Sequence, residues 1–133
     1  MHRVFRALCG VLVFTMLAGC GDSETATRNR VLGIGGAALR KDSGKLNRDY
    51  FGAPGGEFYT LKKSAWPKTF SEMKALRVTL YRDGASLALG GSAGTNEWGI
   101  FVMPPGLDYA PPSTAVIRYE AIEKGVYFYR NVP

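Results

Sequence analysis

The sequence predicts a mainly β fold, a small antiparallel β-sandwich or barrel with at most one short helix. Two observations predict it. Five or six short segments have the composition of strands, and glycine-rich turns separate them. The chain has no internal repeat, and residues 31–133 have the length of a single domain.

The segments of the first half are the least regular. Residues 31–39 (VLGIGGAAL) are apolar but interrupted by glycines, which predicts a first strand or an irregular buried segment. Residues 42–54 are polar and rich in turn formers, whereas residues 57–61 (EFYTL) have strand composition. Residues 69–72 (TFSE) have the spacing of a capping box, so we predict a short helix over residues 70–76.

The clearest β signal is a hairpin around the Asp-Gly dipeptide at positions 83–84, which lies between the segments VTLYR and ASLAL. Asp-Gly is a favoured pair for a two-residue hairpin turn. A turn at this dipeptide sets Leu80 opposite Leu87. It also sets Val78 opposite Leu89 on the same apolar face, as expected for a half-buried antiparallel pair.

The next segment predicts a strand followed by a stiff connection. Residues 98–103 have strand composition, and the Pro-Pro pair at positions 104–105 ends the strand. Residues 107–114 include a second Pro-Pro pair and predict a long loop with Tyr109 near its tip.

A second hairpin is predicted at the C-terminal end. It joins residues 116–122 to residues 126–132 through a three-residue loop at 123–125. The cross-strand pairs expected on one face are Tyr119–Tyr129 and Ala121–Tyr127.

The N-terminus has the pattern of a secretory signal. The first six residues contain two arginines and no acid, and residues 7–18 are apolar. This pattern is typical of a signal that is exported and removed. A membrane-spanning helix needs about 20 apolar residues, so a permanent span here would have to be short and tilted.

Residues 17–20 are Leu-Ala-Gly-Cys, and this tetrapeptide resembles the lipobox of bacterial lipoprotein signal peptides. The resemblance covers the first twenty residues. It implies cleavage between Gly19 and Cys20, a diacylglyceryl group on the Cys20 sulfur and acylation of the new amine. Several acyl chains make a stable membrane anchor. The alternatives are an ordinary signal peptide, cleaved after Gly19, and an uncleaved signal anchor.

This interpretation divides the chain into three segments. They are a signal peptide at residues 1–19, a lipidated cysteine with a flexible tether at residues 20–30, and a single β-rich domain at residues 31–133. Gly21 follows the cysteine, where an aspartate would resemble an inner-membrane retention signal. We therefore expect a lipid-anchored protein of the outer membrane whose domain faces the periplasm.

Charge is distributed unevenly along the chain. Without the leader, fifteen Lys and Arg face eleven Asp and Glu. Residues 28–48 and 62–82 are basic, whereas the chain from residue 83 onward carries three basic residues and five acids. This asymmetry suits docking against an anionic surface such as lipid head groups or cell-wall polymer. The alternative is an ordinary solvated surface. No nucleic-acid recognition motif is present, so we expect no such partner.

The mature chain lacks the usual catalytic residue types. The full chain has one histidine, His2, and two cysteines, Cys9 and Cys20. His2 and Cys9 lie in the predicted leader, and Cys20 is the residue predicted to carry the lipid. This inventory excludes a Ser-His-Asp or Cys-His site and a histidine- and cysteine-based zinc site. We expect no cofactor and no metal.

Paired carboxylates remain a possible route to catalysis, since glycoside cleavage requires only two suitably spaced acids. Glu97 is the preferred candidate because the adjacent Trp98 could desolvate its carboxyl and stack on a sugar. The alternative is a glutamate at a strand edge in water. The full set of candidates is Glu57, Glu97, Asp108, Glu120 and Glu123.

Two groups of residues are candidates for binding. Residues 62–68 combine three lysines with an indole, which suits an anionic or sugar-bearing surface. Residues 127–129, together with Tyr119, form either an aromatic binding strip or packing between strands. The partner-binding candidates are Lys62, Lys63, Trp66, Lys68 and Tyr109.

These observations predict a non-enzymatic envelope lipoprotein, attached to the membrane through lipid on Cys20. Its β domain would bind or scaffold another envelope component, a protein or a cell-wall polymer. The alternative is a carboxylate-dependent enzyme that acts on cell-wall glycan.

Overall fold

The computed structural model describes residues 19–52, 56–92, 96–107 and 109–132. Within these ranges a six-stranded antiparallel sheet is accompanied by two long helices and one short helix. The helices are α1 (Gly19–Ile34), α2 (Gly36–Phe51) and α3 (Lys68–Glu72), with a 3-10 turn at Lys63–Ala65. The strands are β1 (Phe58–Leu61), β2 (Arg77–Tyr81), β3 (Gly84–Gly90), β4 (Trp98–Val102), β5 (Ile117–Glu123) and β6 (Val126–Asn131).

The sheet has the strand order β1-β2-β3-β4-β6-β5, so β1 and β5 stand at its two ends. Strand β6 lies between β4 and β5 and is antiparallel to both, so β4 and β5 run in the same direction. The proline-rich connection at residues 103–116 must therefore run back along the strand direction, from the end of β4 to the start of β5. This return path brings the connection over one face of the sheet.

The other face of the sheet packs against the helices and forms the main core. Alternation along each strand sends one set of apolar side chains to this face. Burying each of them contributes about 1.5–3 kcal/mol. The fully buried residues of this core include Val78, Leu87, Ile100, Val102 and Val126 from the strands. From the helices, and from the residue that follows α3, they include Val31, Leu39, Phe70 and Met73.

Helix α2 is held on the sheet by polar contacts as well as by its apolar side. The Ser43 hydroxyl donates a hydrogen bond of 2.8 Å to the Val102 carbonyl. The Arg40 guanidinium donates to the carbonyls of Met103, Pro104 and Leu107 at 3.0–3.1 Å. Since these carbonyls begin the proline-rich connection, α2 fixes its starting direction.

Helix α1 replaces the flexible tether that we predicted for residues 20–30. Thr27 and Val31 are buried, and the Arg28 guanidinium contacts both Glu24 within the helix and Glu120 on β5. The prediction was wrong because its polar residues bind the edge of the sheet and not only water. Residues 1–18, with most of the predicted signal peptide, lie outside the described residues. In the described part of the chain, no helix is long and apolar enough to cross a membrane.

The predicted strand or irregular segment at residues 31–39 is helical instead. It holds the end of α1, a break at Gly35 with φ of 101°, and the start of α2. The turn-rich segment predicted for residues 42–54 is also wrong, because α2 continues to Phe51. Two sixteen-residue helices thus overturn the expectation of at most one short helix, whereas the antiparallel sheet is confirmed.

The hairpin β2–β3 is confirmed, but its register differs from the prediction. Val78 pairs with Leu87, and Leu80 pairs with Ala85. The two-residue turn is therefore at residues 82–83, one position earlier than the Asp-Gly dipeptide. Gly84 is a strand residue, and a Cβ there would lie 2.6 Å from the Val102 carbonyl oxygen. Its small size serves close packing and not the turn.

The remaining predicted elements are confirmed with small changes. Strands β1 and β4 lie where expected, and hairpin β5–β6 has the predicted pairs Tyr119–Tyr129 and Ala121–Tyr127. The predicted three-residue loop at 123–125 was wrong, because Glu123 pairs with Val126 and leaves a two-residue turn. Helix α3 begins and ends earlier than residues 70–76. The Thr69 hydroxyl contacts Asp42 at 2.7 Å, and no side-chain hydrogen bond caps the helix start.

Candidate ligand-binding cleft

The face of the sheet opposite the helices carries a cavity of about 460 Å³, which we call the tyrosine cleft. Its floor follows from the two-residue alternation of strands. Ser86 of β3 pairs with Phe101 of β4, and Tyr119 of β5 pairs with Tyr129 of β6 on the same face. Tyr81 of β2 completes the floor. The volume lies within the range of about 300–1,000 Å³ that small-molecule sites occupy.

The proline-rich connection forms the wall of the tyrosine cleft. Pro111 and Pro112 line the cavity, and each proline ring fixes the backbone φ of its own residue. The Ser113 hydroxyl accepts a hydrogen bond of 3.0 Å from the Tyr119 backbone N–H. Both ends of the wall are therefore held, one by the Arg40 guanidinium and the other by strand β5.

Glu97 lies at one end of the cleft floor with both carboxylate oxygens engaged. Its Oε1 accepts from the Arg77 guanidinium, and its Oε2 accepts a 2.8 Å hydrogen bond from the Tyr129 hydroxyl. The Glu97 side chain is only 12% exposed. Burial, followed by the neighbouring Glu97 carboxylate, raises the pKa of Tyr129 well above its ordinary value. Tyr129 therefore remains a neutral hydrogen-bond donor.

Asp83 lines the opposite end of the cleft, in the β2–β3 turn. The Tyr109 hydroxyl donates to its Oδ2 at 3.3 Å. Burial, then the negative charge of Asp83, raises the pKa of Tyr119 and of Tyr109. Burial, then Glu97, raises the pKa of Tyr81, to which Asp83 also contributes. The Asp83 carboxylate thus acts on three tyrosines around the cleft.

The predicted partner-binding residues occupy two separate places. Lys62 and Lys63 are exposed just after the end of β1, beside the start of β2, and Lys68 is exposed at the start of α3. Trp66 packs against the main core and donates through its indole N–H to the Leu61 carbonyl at 3.3 Å. Tyr109 lies instead at the Asp83 end of the tyrosine cleft. A role in binding stays a prediction for all five residues.

The candidate carboxylates are not gathered in one cavity. Glu97 lies in the tyrosine cleft, whereas Glu120 lines a second cavity of about 270 Å³ with Glu24. A hydrogen bond shared with the Glu120 carboxyl lowers the pKa of Glu24, and the Arg28 guanidinium lowers it further. Of the other candidates, Glu57 is exposed, Glu123 lies against Gly36 of α2, and Asp108 lies outside the described residues.

The second cavity lies on the helix side of the sheet, since Glu120 and Phe128 alternate with the cleft residues Tyr119 and Tyr129. Glu97 and Glu120 therefore cannot act on one bond. Among the residues that the structure describes, no group of three or more His, Cys, Asp or Glu side chains could hold a metal ion.

The sequence identified part of the cleft. Tyr119 and Tyr129 belong to the predicted aromatic strip, and Tyr127 packs beside Tyr129, whereas Phe128 faces the other side. Nothing in the local sequence marks Tyr81 or Pro111 as a cleft residue. Only the path of the connection over the sheet brings these two residues to the same cavity.

Comparisons of the chain with protein-family models, with curated proteins and with solved structures found no match.

Proposed function

We propose that this protein is a lipid-anchored envelope lipoprotein whose domain binds another envelope component in the tyrosine cleft. The observation that carries the proposal is the cleft itself. It combines an aromatic floor, a wall of prolines and a small number of polar groups, which is the usual composition of a ligand site. The wall and floor are already tied together by hydrogen bonds, so the cleft is formed before any ligand arrives.

The same geometry favours binding over glycan hydrolysis. A glycosidase needs one acid to protonate the leaving group and a second carboxylate on the same bond. Both oxygens of Glu97 accept hydrogen bonds from the protein, Asp83 lies at the opposite end of the cleft, and Glu120 lies on the opposite face of the sheet. We therefore propose a binding protein and not an enzyme.

The anchor part of the proposal rests on the lipobox at residues 17–20, and the outer-membrane location rests on Gly21. A direct test is metabolic labelling with palmitate. The native protein is expected to incorporate the label, whereas the Cys20→Ser variant is not. Equal labelling of both proteins would overturn the anchor.

The binding part is tested by photo-crosslinking in living cells. A photoreactive phenylalanine analogue is placed at the cleft, at Thr114 or Tyr109. It is also placed at Lys62 or Lys63 in residues 62–68, which we call the basic segment, and at exposed Asp49 as a control. We expect the same adduct from both cleft positions and none from Asp49. Adducts from Lys62 or Lys63 alone would show that the partner binds elsewhere.

The enzymatic alternative has its own control. Glycan hydrolysis by the purified protein is measured for the native chain and for the Glu97→Gln and Glu120→Gln variants. We expect no activity in any of the three. An activity that a folded glutamine variant loses would contradict the binding proposal.

A further inference from the structure

The described lining of the tyrosine cleft carries two carboxylates, Asp83 and Glu97, and is therefore net negative. Its two carboxylates differ in their surroundings. Glu97 faces the Arg77 guanidinium, which balances its charge. For Asp83 the described contact is the neutral Tyr109 hydroxyl, and no lysine or arginine is among the described residues that line the cavity. Among the described residues of the cleft, the Asp83 carboxylate is therefore the one without a cationic partner.

Aromatic rings line the same cavity as Asp83. Phe101 and Tyr119 meet edge to face with centroids 6.1 Å apart, and Tyr119 and Tyr129 are tilted at 6.5 Å. Tyr81 adds a ring beside the Asp83 turn. Rings set at angles to one another form walls and not a single flat platform. An aromatic ring attracts a cation that lies over its face.

A carboxylate among aromatic faces favours one class of ligand. A cation gains from the ion pair and from the ring faces together, and both effects strengthen where water is displaced. An anionic ligand would meet the Asp83 charge without a cation to offset it. A neutral sugar would gain from the rings but leave the carboxylate charge unpaired.

We infer that the tyrosine cleft binds an organic cation, an ammonium or guanidinium group on an alkyl chain, with Asp83 as its charge partner. The inference rests on the proposed function and names the chemistry of the ligand. A basic side chain of a partner protein and a free polyamine both carry this group. The apolar stem of either would lie along Pro111 and Phe101, where the cavity is apolar.

The test is a calorimetric titration of the full chain, purified in a nonionic detergent. The probes are a blocked lysine amide, a short lysine-containing peptide, cadaverine, the ε-acetylated lysine amide and N-acetylglucosamine. We expect saturable binding of the cations and at least about tenfold weaker binding of the two neutral probes, as for the loss of one desolvated ion pair. If the lysine peptide binds more tightly than cadaverine, the natural ligand is a side chain of a polypeptide. If cadaverine binds more tightly, the natural ligand is a free amine.

Matched variants connect the binding to Asp83. Asp83→Asn is expected to weaken the cations at least about tenfold, whereas Asp49→Asn, an exposed acid of α2, leaves them unchanged. Asp83→Ser replaces Asp83→Asn if the latter fails to fold, as judged by its melting temperature. Equal affinity for charged and acetylated lysine, full cation binding by the folded Asp83 variants, or no saturable binding would each overturn the inference.

The failure of this inference is separable from failure of the proposed function. Crosslinks from Thr114 and Tyr109 without cation selectivity would leave a binding cleft of different ligand chemistry. Absence of those crosslinks would remove the cleft as the binding site, whatever the titration shows.

Discussion

At the scale of single residues, Glu97 holds one end of the floor of the tyrosine cleft in place through its contacts with Arg77 and Tyr129. Its carboxylate is mostly buried, and Arg77 and Tyr129 satisfy it from two sides. Removal of either partner leaves a charged group with too few contacts. The pair therefore stabilises the floor, and among the described residues of the cleft Asp83 is the carboxylate without a cationic partner.

The Arg77 contact can be measured through stability. We expect Arg77→Met to lower the free energy of unfolding by about 1–2 kcal/mol, between the values for exposed and buried pairs, because Arg77 itself is partly exposed. The double variant Arg77→Met/Glu97→Gln should recover part of this loss, since no charge is then left unpaired. Urea denaturation of the three proteins is the measurement, and a fully additive double variant would contradict the pairing.

Tyr129 gives a pH dependence of known sign. Its pKa is raised in the folded protein, so an unfolded chain loses this proton near pH 10 while the folded chain keeps it. Stability from this group is therefore present below about pH 10 and is lost as the pH rises further. We expect the melting temperature to fall more steeply from about pH 9 to 11 in the native protein than in Tyr129→Phe. Parallel curves would show that Tyr129 titrates normally.

At the scale of elements, two glycines of different surroundings report on strand packing. A Cβ on Gly84 would approach the Val102 carbonyl at 2.6 Å, whereas a Cβ on Gly33 of α1 meets nothing within 4 Å. We expect Gly84→Ala to destabilise by about 1–3 kcal/mol through overpacking. Gly33→Ala should stabilise by up to about 1 kcal/mol because alanine favours the helix. Denaturant midpoints test both, and a neutral Gly84→Ala would contradict the close approach of β3 to β4.

The strands were largely predictable, because their periodicity is local. Hairpin β5–β6 has the predicted aromatic pairs, although its turn is one residue shorter than predicted, because a register shift between Ala121 and Glu123 compensates for the difference. In hairpin β2–β3 the Asp-Gly dipeptide indicated the wrong turn, because Gly84 is required by packing against β4 and not by a positive φ. That requirement comes from a strand distant in sequence.

The long helices were not predictable from composition. Helix α1 is mostly polar, and contacts with the sheet edge such as Arg28–Glu120 help to hold it there. In α2, Gly36 and Gly44 weaken helix propensity, yet each allows a close approach, to Glu123 and to Pro105. Tertiary contacts therefore outweigh local preference in both helices. The candidate cleft was found only in part for the same reason, since its wall is a loop that crosses the sheet.

At the scale of the whole molecule, helix α1 relates the proposed lipid anchor to the two ends of the sheet. Glu24 is one helical turn, about 6 Å, from Cys20 and lines a cavity with Arg118 and Arg130. Arg130 on β6 pairs with Trp98, the first residue of β4, which in turn lies beside the end of β3. Since β2 begins beside the end of β3, Lys62, which follows β1, lies at this same end of the sheet. The proposed anchor therefore orients the basic segment towards the membrane and the Asp83 end of the cleft away from it.

This orientation predicts a difference in lipid contact. A fluorophore on a cysteine introduced at Lys62 should be quenched more by brominated phospholipids than one at Asp83, in vesicles that carry the lipidated chain. The two positions lie near opposite ends of β2, which are about 13 Å apart. Stronger quenching at Asp83 would reverse the proposed orientation.

We propose that a partner in the envelope occupies the tyrosine cleft. Hydroxyl-radical footprinting tests it most directly, by comparing tyrosine oxidation in intact envelopes with that in the purified chain. Tyr81 and Tyr119 should be oxidised several-fold less in the envelope, whereas the exposed Leu32 of α1, which does not line the cleft, should be unchanged. Equal oxidation of both tyrosines in the two preparations would contradict the account.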